Sequence, residues 1–113
     1  MAQFPTRNNG SGVIVIAADG KLNMVVAPHL RQQLNDLVGE GNNRIVVDLA
    51  AVESIDSSGL GALLSGMKAA RQAGGDLRIA ALRPPVLAVL ELTNLNRVLK
   101  AYDSAESAFG DPA

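Results

Sequence analysis

Asp56-Ser57-Ser58-Gly59-Leu60-Gly61 decides how this chain is read. Immediately upstream, Arg44-Ile45-Val46-Val47-Asp48-Leu49 is a run of aliphatic, mostly β-branched residues that predicts a buried strand, and Ala50 to Ile55 reads as a short loop. Downstream, Leu60, Leu63, Leu64, Met67 and Ala70 fall at i, i+3, i+4, i+7 and i+10, a single apolar stripe on a helix lasting to about Ala73. The first four N–H groups of a helix have no partner inside it, and an Asp or Ser oxygen at the N-cap satisfies one of them. A carboxylate there also suits the helix dipole. Asp56 is therefore the expected N-cap, with Ser57 and Ser58 as the first helical residues.

A phosphate on Ser57 would lie among free N–H donors at the positive end of that helix. It would add about one and a half to two negative charges to the surface and leave the fold intact. Asp-Ser-Ser is equally an ordinary capping sequence, and capping alone does not separate Ser57 from Ser58. The far side of the helix carries a second signal. At about 100° per residue, Ser58, Gly61, Ala62, Ser65 and Ala69 gather opposite the apolar stripe, where a solvated helix would present Glu, Lys and Arg. Gly61 and Gly66 each cost roughly 1 kcal/mol against Ala in a helix interior. Such a face suits a docking partner, or it packs under a loop or another helix of the same chain.

Composition removes several function classes. The 113 residues suffice for one domain with one core and are too few for two; a single domain over 1–113, with its core at about 12–109, is expected. The formal net charge is −1 and no basic run suggests a nucleic-acid footprint. With no cysteine, disulfides, thiol nucleophiles and cysteine metal sites are excluded. The single histidine, His29, falls within the first helix and reads as structural or exposed, so a metal cluster or a histidine-based triad is hard to assemble. No metal and no cofactor is expected. No apolar run approaches the ~18–20 residues that span a bilayer, and the N-terminus lacks the apolar region of a signal peptide. A cytoplasmic protein with no membrane partner is the expectation.

The remaining elements set the fold class. Phe4 anchors an edge strand, where Pro5 is tolerated, and Asn8-Asn9-Gly10-Ser11-Gly12 is a hairpin turn. Val13 to Ala17 reads as a buried strand ended by a turn at Asp19-Gly20, with Lys21-Leu22 a brief further strand. Asn23 is a plausible N-cap for a helix from about Val26 to Val38, with Leu30, Leu34, Leu37 and Val38 inward and Gly39 and Gly41 at its end. Gly74-Gly75 closes the central helix, Asp76 to Leu82 is a strand, and Pro85 suits the first turn of a short helix to about Leu92. Val98 to Ala101 forms a last strand, Ser104 caps a final helix over Ala105–Phe109, and Gly110 to Ala113 is a frayed tail. Strand–helix–strand order implies parallel pairing through right-handed crossovers, with the hairpin adding an antiparallel edge. The expected α/β fold is a mixed sheet of four to five strands with about four helices. Functional groups in such sheets gather outside the carboxyl ends of the strands, where Ala50–Ile55 and the central helix start lie.

The run Ile45-Val46-Val47-Asp48-Leu49 followed by Ile55-Asp56-Ser57-Ser58-Gly59-Leu60-Gly61-Ala62-Leu63-Leu64 resembles the STAS domain of bacterial anti-sigma factor antagonists. Asp19-Gly20-Lys21-Leu22-Asn23, Gly74-Gly75-Asp76-Leu77, Pro85-Val86 to Leu92 and Asn94-Leu95 extend the resemblance from about Gly12 to Phe109. It implies that the first serine of the motif, Ser57, is phosphorylated, with Ser58 the second choice. It also implies that Asp56 orients that hydroxyl or caps the helix, and that Asp56, Ser58, Gly59, Gly61, Ala62 and Ser65 contact a partner. That partner would be an anti-sigma factor serine kinase, bound only by the unphosphorylated chain, and a serine phosphatase would reverse the modification. The same fold also serves as a non-phosphorylated docking module of a transporter or a larger signalling assembly, and nucleotide binding is a third possibility that no residue here specifically supports. Catalysis is not expected. Asp48, Glu53 and Asp56 have no histidine or cysteine partner, Ser57 has no activating base, and Gly59-Leu60-Gly61 lacks the longer glycine pattern and lysine of a P-loop.

Overall fold

β1 (Thr6–Asn8) and β2 (Ile14–Leu22) form the expected antiparallel hairpin, in a computed structural model that describes residues 4–109. Its turn is held by asparagine side chains: the Gly10 N–H donates to Asn8 Oδ1 at 2.8 Å and the Ser11 N–H to Asn9 Oδ1 at 2.9 Å. The chain continues through α1 (Ala27–Gly39), β3 (Arg44–Ile55), α2 (Ser57–Gln72), β4 (Asp76–Ala80), α3 (Pro84–Leu92) and β5 (Ala101–Tyr102). The sheet order is β1-β2-β3-β4-β5, and every pair after the first is parallel, as strand–helix–strand connections require.

One sheet face carries Ile16, Ile45, Val47, Leu49, Leu77 and Ile79 into the main core, against Leu30 and Leu34 of α1, Leu60 and Leu63 of α2, and Val86 and Leu90 of α3. The other face buries Val13, Val15, Val46 and Ala80 beneath Ala105 and Ala108 of the C-terminal turns. There the Phe109 ring lies under two guanidinium groups, Arg78 at 4.2 Å and Arg44 at 5.1 Å from its centroid. Gln33 is buried and makes two hydrogen bonds to Phe4: its Oε1 accepts from the Phe4 N–H at 3.0 Å, and its Nε2 donates to the Phe4 carbonyl at 2.7 Å. The N-terminal segment is thereby tied to α1.

Four local expectations are corrected. Ala50–Ile55 is no loop but the second half of β3, paired as Asp19↔Ala51, Gly20↔Val52, Lys21↔Ser54 and Leu22↔Ile55. Asp19-Gly20 is correspondingly no turn; it lies inside β2, where register shifts between Ala17 and Asp19 and between Gly20 and Lys21 absorb the positive φ of Gly20, +72°. Here long-range pairing overrides local turn chemistry. The last strand shifts from Val98–Ala101 to Ala101–Tyr102, because the chain winds a 3-10 turn at Leu95–Arg97 and Leu99 drops into the core. The final helix expected at Ala105–Phe109 closes as turns, with Ser104 Oγ accepting from the Ser107 N–H at 3.2 Å; five residues do not repay helix nucleation. Smaller shifts accompany these. β4 ends at Ala80, before Ala81 at φ 60°, and Asn23 caps the turn that precedes α1 rather than α1 itself. The tail expected at Gly110–Ala113 lies outside the described residues.

Candidate functional site

The paired ends of β2 and β3 aim the chain into α2. Ile55 is buried opposite Leu22, and the next N–H, that of Asp56, donates to the Leu22 carbonyl at 3.1 Å. Asp56 is extended (φ −114°, ψ −173°), and its Oδ1 accepts from the N–H groups of Ser58 at 2.9 Å and Gly59 at 3.0 Å. Its backbone carbonyl accepts from Leu60 N–H at 3.0 Å. Asp56 is thus the N-cap: its side chain engages two of the N–H groups that lack a partner inside the helix, and its carbonyl accepts the first regular helix bond. This revises one expectation: a phosphate on Ser57 would not find the N–H groups of Ser58 and Gly59 free. Ser57 itself is exposed in the first turn, and Ser58 is half-buried.

The small residues of α2 divide into two sets. A Cβ on Gly59 would run into the Leu22 carbonyl oxygen and lie 2.8 Å from Ile55 Cγ1, so the glycine lets the helix start press onto the strand ends. A Cβ on Gly66 would lie 2.7 Å from Leu34 Cδ1 and 3.0 Å from Leu77 Cδ1, so this glycine lets α1 and α2 approach over β4. Ala62 is fully buried in the main core. Gly59 and Ala62, expected at the floor of a contact surface, therefore lie beneath that surface and are corrected to packing residues. Gly61, Ser58 and Ser65 keep partial exposure. A Cβ on Gly61 would meet only Arg31 Nη2, at 3.6 Å, an ordinary contact.

A groove of about 340 Å³ runs between the starts of α1 and α2, lined among others by Met24, Ala27, Arg31, Ser57, Ser58 and Gly61. Its rim holds an apolar patch that the sequence pattern did not single out. Met24 and Val25 are each 71% exposed, in a turn held by Asn23 Oδ1, which accepts from the Val25 N–H at 3.0 Å and the Val26 N–H at 3.3 Å. The available signal was three consecutive apolar residues, Met24-Val25-Val26, in a segment between Asn23 and Pro28 where turn residues are usually polar.

The acidic residues expected near the strand end do not converge. Asp48 turns back on its own backbone, its Oδ1 accepting from the Ala50 N–H at 3.0 Å, and Asp56 is occupied as the cap. Among the described residues no group of three His, Cys, Asp or Glu side chains is placed to hold a metal ion, and no helix is long and apolar enough to cross a membrane. The assembled features are an exposed serine hydroxyl on a firmly capped helix start, a shallow groove beside it and an apolar rim. These suit recognition of a macromolecule at a modifiable residue.

Comparison with known proteins agrees with this architecture. The model of the STAS domain family matches residues 5–108. The chain is 29% identical over 98 residues to the anti-sigma F factor antagonist of Paenibacillus polymyxa, covering 86% of this chain and 84% of that protein. The crystal structure of a Thermotoga maritima protein, provisionally named an anti-sigma factor antagonist, superposes with a TM-score of 0.84 at 32% identity, covering 90% of this chain and 87% of that one. An anti-sigma factor antagonist from Mycobacterium paratuberculosis superposes with a TM-score of 0.77 at 28% identity, over 91% and 88% of the two chains.

Proposed function

The chain belongs to the STAS domain family, and from that premise we propose that it is an anti-sigma factor antagonist switched by phosphorylation of Ser57. In its unmodified form it binds an anti-sigma factor with a serine-kinase fold, which then releases its sigma factor. Transfer of a phosphoryl group from ATP to the Ser57 hydroxyl ends that binding, and a serine phosphatase restores it. The observation that carries the proposal is the setting of Ser57: an exposed hydroxyl in the first turn of a helix pinned by Asp56, lining one groove with the exposed Met24.

The contact surface in this reading comprises Asp56, Ser58, Gly61 and Ser65, joined by Met24 and Val25, while Gly59 and Ala62 shape it from below. Of the two serines, Ser57 is the more exposed, and Ser58 already lends its N–H to the cap. The switch is electrostatic. A dianion pressed into an interface built on small and apolar groups loses hydration that the partner does not replace. A penalty of about 3 kcal/mol weakens binding more than a hundredfold. Intact mass spectrometry after incubation with the cognate kinase and ATP tests the site. The wild type and Ser58→Ala gain one phosphate and Ser57→Ala gains none; equal modification of Ser57→Ala and the wild type removes Ser57 from its role.

A further inference from the structure

We infer that Arg31 is the built-in counter-charge for a phosphoryl group on Ser57, drawing it into the groove between α1 and α2. The inference rests on the reading of Ser57 as the modified residue and adds what holds the modification once it is made. Three observations converge on it. Among the described residues, Arg31 is the one charged side chain lining the groove that Ser57 and Ser58 also line. Among the same residues Arg31 takes part in no ion pair, a property it shares with Arg44, Arg83 and Arg97, none of which lines this groove. Its guanidinium nevertheless lies against the first turns of α2, since Nη2 is 3.6 Å from where a Gly61 Cβ would be. The carboxylate at this helix end, Asp56, is engaged as the cap, so a cation beside the positive end of the helix gains from the arrival of a further anion.

The cap sharpens the requirement. Asp56 already occupies the N–H groups of Ser58 and Gly59, so a phosphoryl group at residue 57 has few backbone donors near it and a carboxylate as its neighbour. Compensation has to come from a side chain across the groove, and a planar guanidinium matches two phosphate oxygens at once. Gly61 keeps the space between them clear of any side chain. Pairing of this kind lowers the second pKa of the phosphoserine from its ordinary value of about 6, so the dianion persists to lower pH than it would unpaired. It also lays the phosphate over the surface that the unmodified chain offers to its partner.

The test places phosphoserine at position 57 during synthesis, so it does not depend on any kinase recognising the chain. Phosphorus NMR titration then gives the second pKa of that group in the wild type, in Arg31→Gln and in Arg31→Lys, with amide spectra confirming that all three share one fold. The expected result is a pKa about 0.5 unit or more lower in the wild type than in Arg31→Gln, with Arg31→Lys between them and the gap narrowing in about 1 M salt. Equal pKa values in wild type and Arg31→Gln overturn the inference. It is overturned equally if Arg31→Gln leaves the pKa alone but weakens binding of the unmodified chain, which assigns the guanidinium to a carboxylate of the partner. Failure of a kinase to modify Ser57 would count against the proposed function and leave this titration unaffected.

Discussion

Replacing the three glycines of α2 one at a time by alanine separates internal packing from surface contact. Each replacement gains about 1 kcal/mol of helix propensity where the site is regular and open. At Gly61 the new methyl group meets only the end of Arg31 at 3.6 Å, so Gly61→Ala is expected to stabilise the fold by about 0.5–1 kcal/mol. At Gly59 the methyl group meets the Leu22 carbonyl oxygen and two side-chain carbons, Ile55 Cγ1 at 2.8 Å and Leu22 Cβ at 3.0 Å. Overpacking costs about 1–3 kcal/mol, and the obstacle here includes backbone at the end of a sheet, so the upper part of that range applies. Less the propensity gain, Gly59→Ala is expected to destabilise by about 2 kcal/mol. Gly66→Ala falls between the two, because its closest obstacles, Leu34 Cδ1 at 2.7 Å and Leu77 Cδ1 at 3.0 Å, are side-chain ends and not backbone, although both leucines are buried and Leu34 Cβ stands at 3.1 Å. Urea unfolding measures all three, with a constant slope showing that the midpoint reports stability. If Gly59→Ala unfolds at the same urea concentration as wild type, or Gly61→Ala unfolds earlier by more than Gly59→Ala, the division of the small residues into buried and surface sets is wrong. The series also serves the functional question: any loss of partner binding in Gly61→Ala is a contact effect, since the fold has not been weakened.

Further outcomes follow from the same geometry. Asp56→Ala leaves the N–H groups of Ser58 and Gly59 without their acceptor and lowers stability by about 1–2 kcal/mol in urea unfolding, while Asp56→Ser keeps most of the cap; equal loss in both variants contradicts a capping role. Double replacement Met24→Ser, Val25→Ser removes exposed apolar surface only, so stability stays within about 0.5 kcal/mol of wild type while affinity for the anti-sigma factor falls about tenfold or more; unchanged affinity takes the rim out of the interface. Partial burial pushes the Asp76 carboxyl upward, but hydrogen bonds from Arg71 and Arg78 outweigh it and hold the group below its ordinary value of 3.8. A depressed carboxylate stabilises the fold above its unfolded pKa, and that contribution disappears as pH falls through the folded value. The stability gap between wild type and Asp76→Asn should therefore be constant from neutral pH down to about 4 and shrink below it; an equal gap at about pH 2.5 rules out the depressed carboxyl.

Legibility in the sequence followed the range of the interactions involved. The start of α2 was readable to the residue, because the Asp56 cap and the Leu60-Leu63-Leu64-Met67 stripe are both local signals and they agree. The N-terminal hairpin was readable for the same reason, from its Asn and Gly turn. The lengths of β2 and β3 were not readable: Asp19-Gly20 and Ala50–Ile55 carry turn-like composition, and only their pairing with each other makes them strand. Smallness along α2 was visible, but small residues serve close internal packing and open surface equally well. Only the positions of Leu22, Leu34 and Leu77 place Gly59 and Gly66 inside and leave Gly61 at the surface. Met24 and Val25 look like core residues by type. They are exposed because the turn held by Asn23 projects them from the domain before α1 begins. The five residues of Ala105–Phe109 had a capping serine but too little length, so they cover the second sheet face as turns.

The proposed switch is a single charge change at residue 57, and binding calorimetry reads that change directly. The cognate anti-sigma factor is titrated with the unmodified chain and with the chain carrying phosphoserine at position 57, at equal salt and with matched unfolding midpoints. An affinity about a hundredfold or more weaker for the phosphorylated form is the predicted result. Affinities within about threefold of each other, with both forms folded, would contradict it.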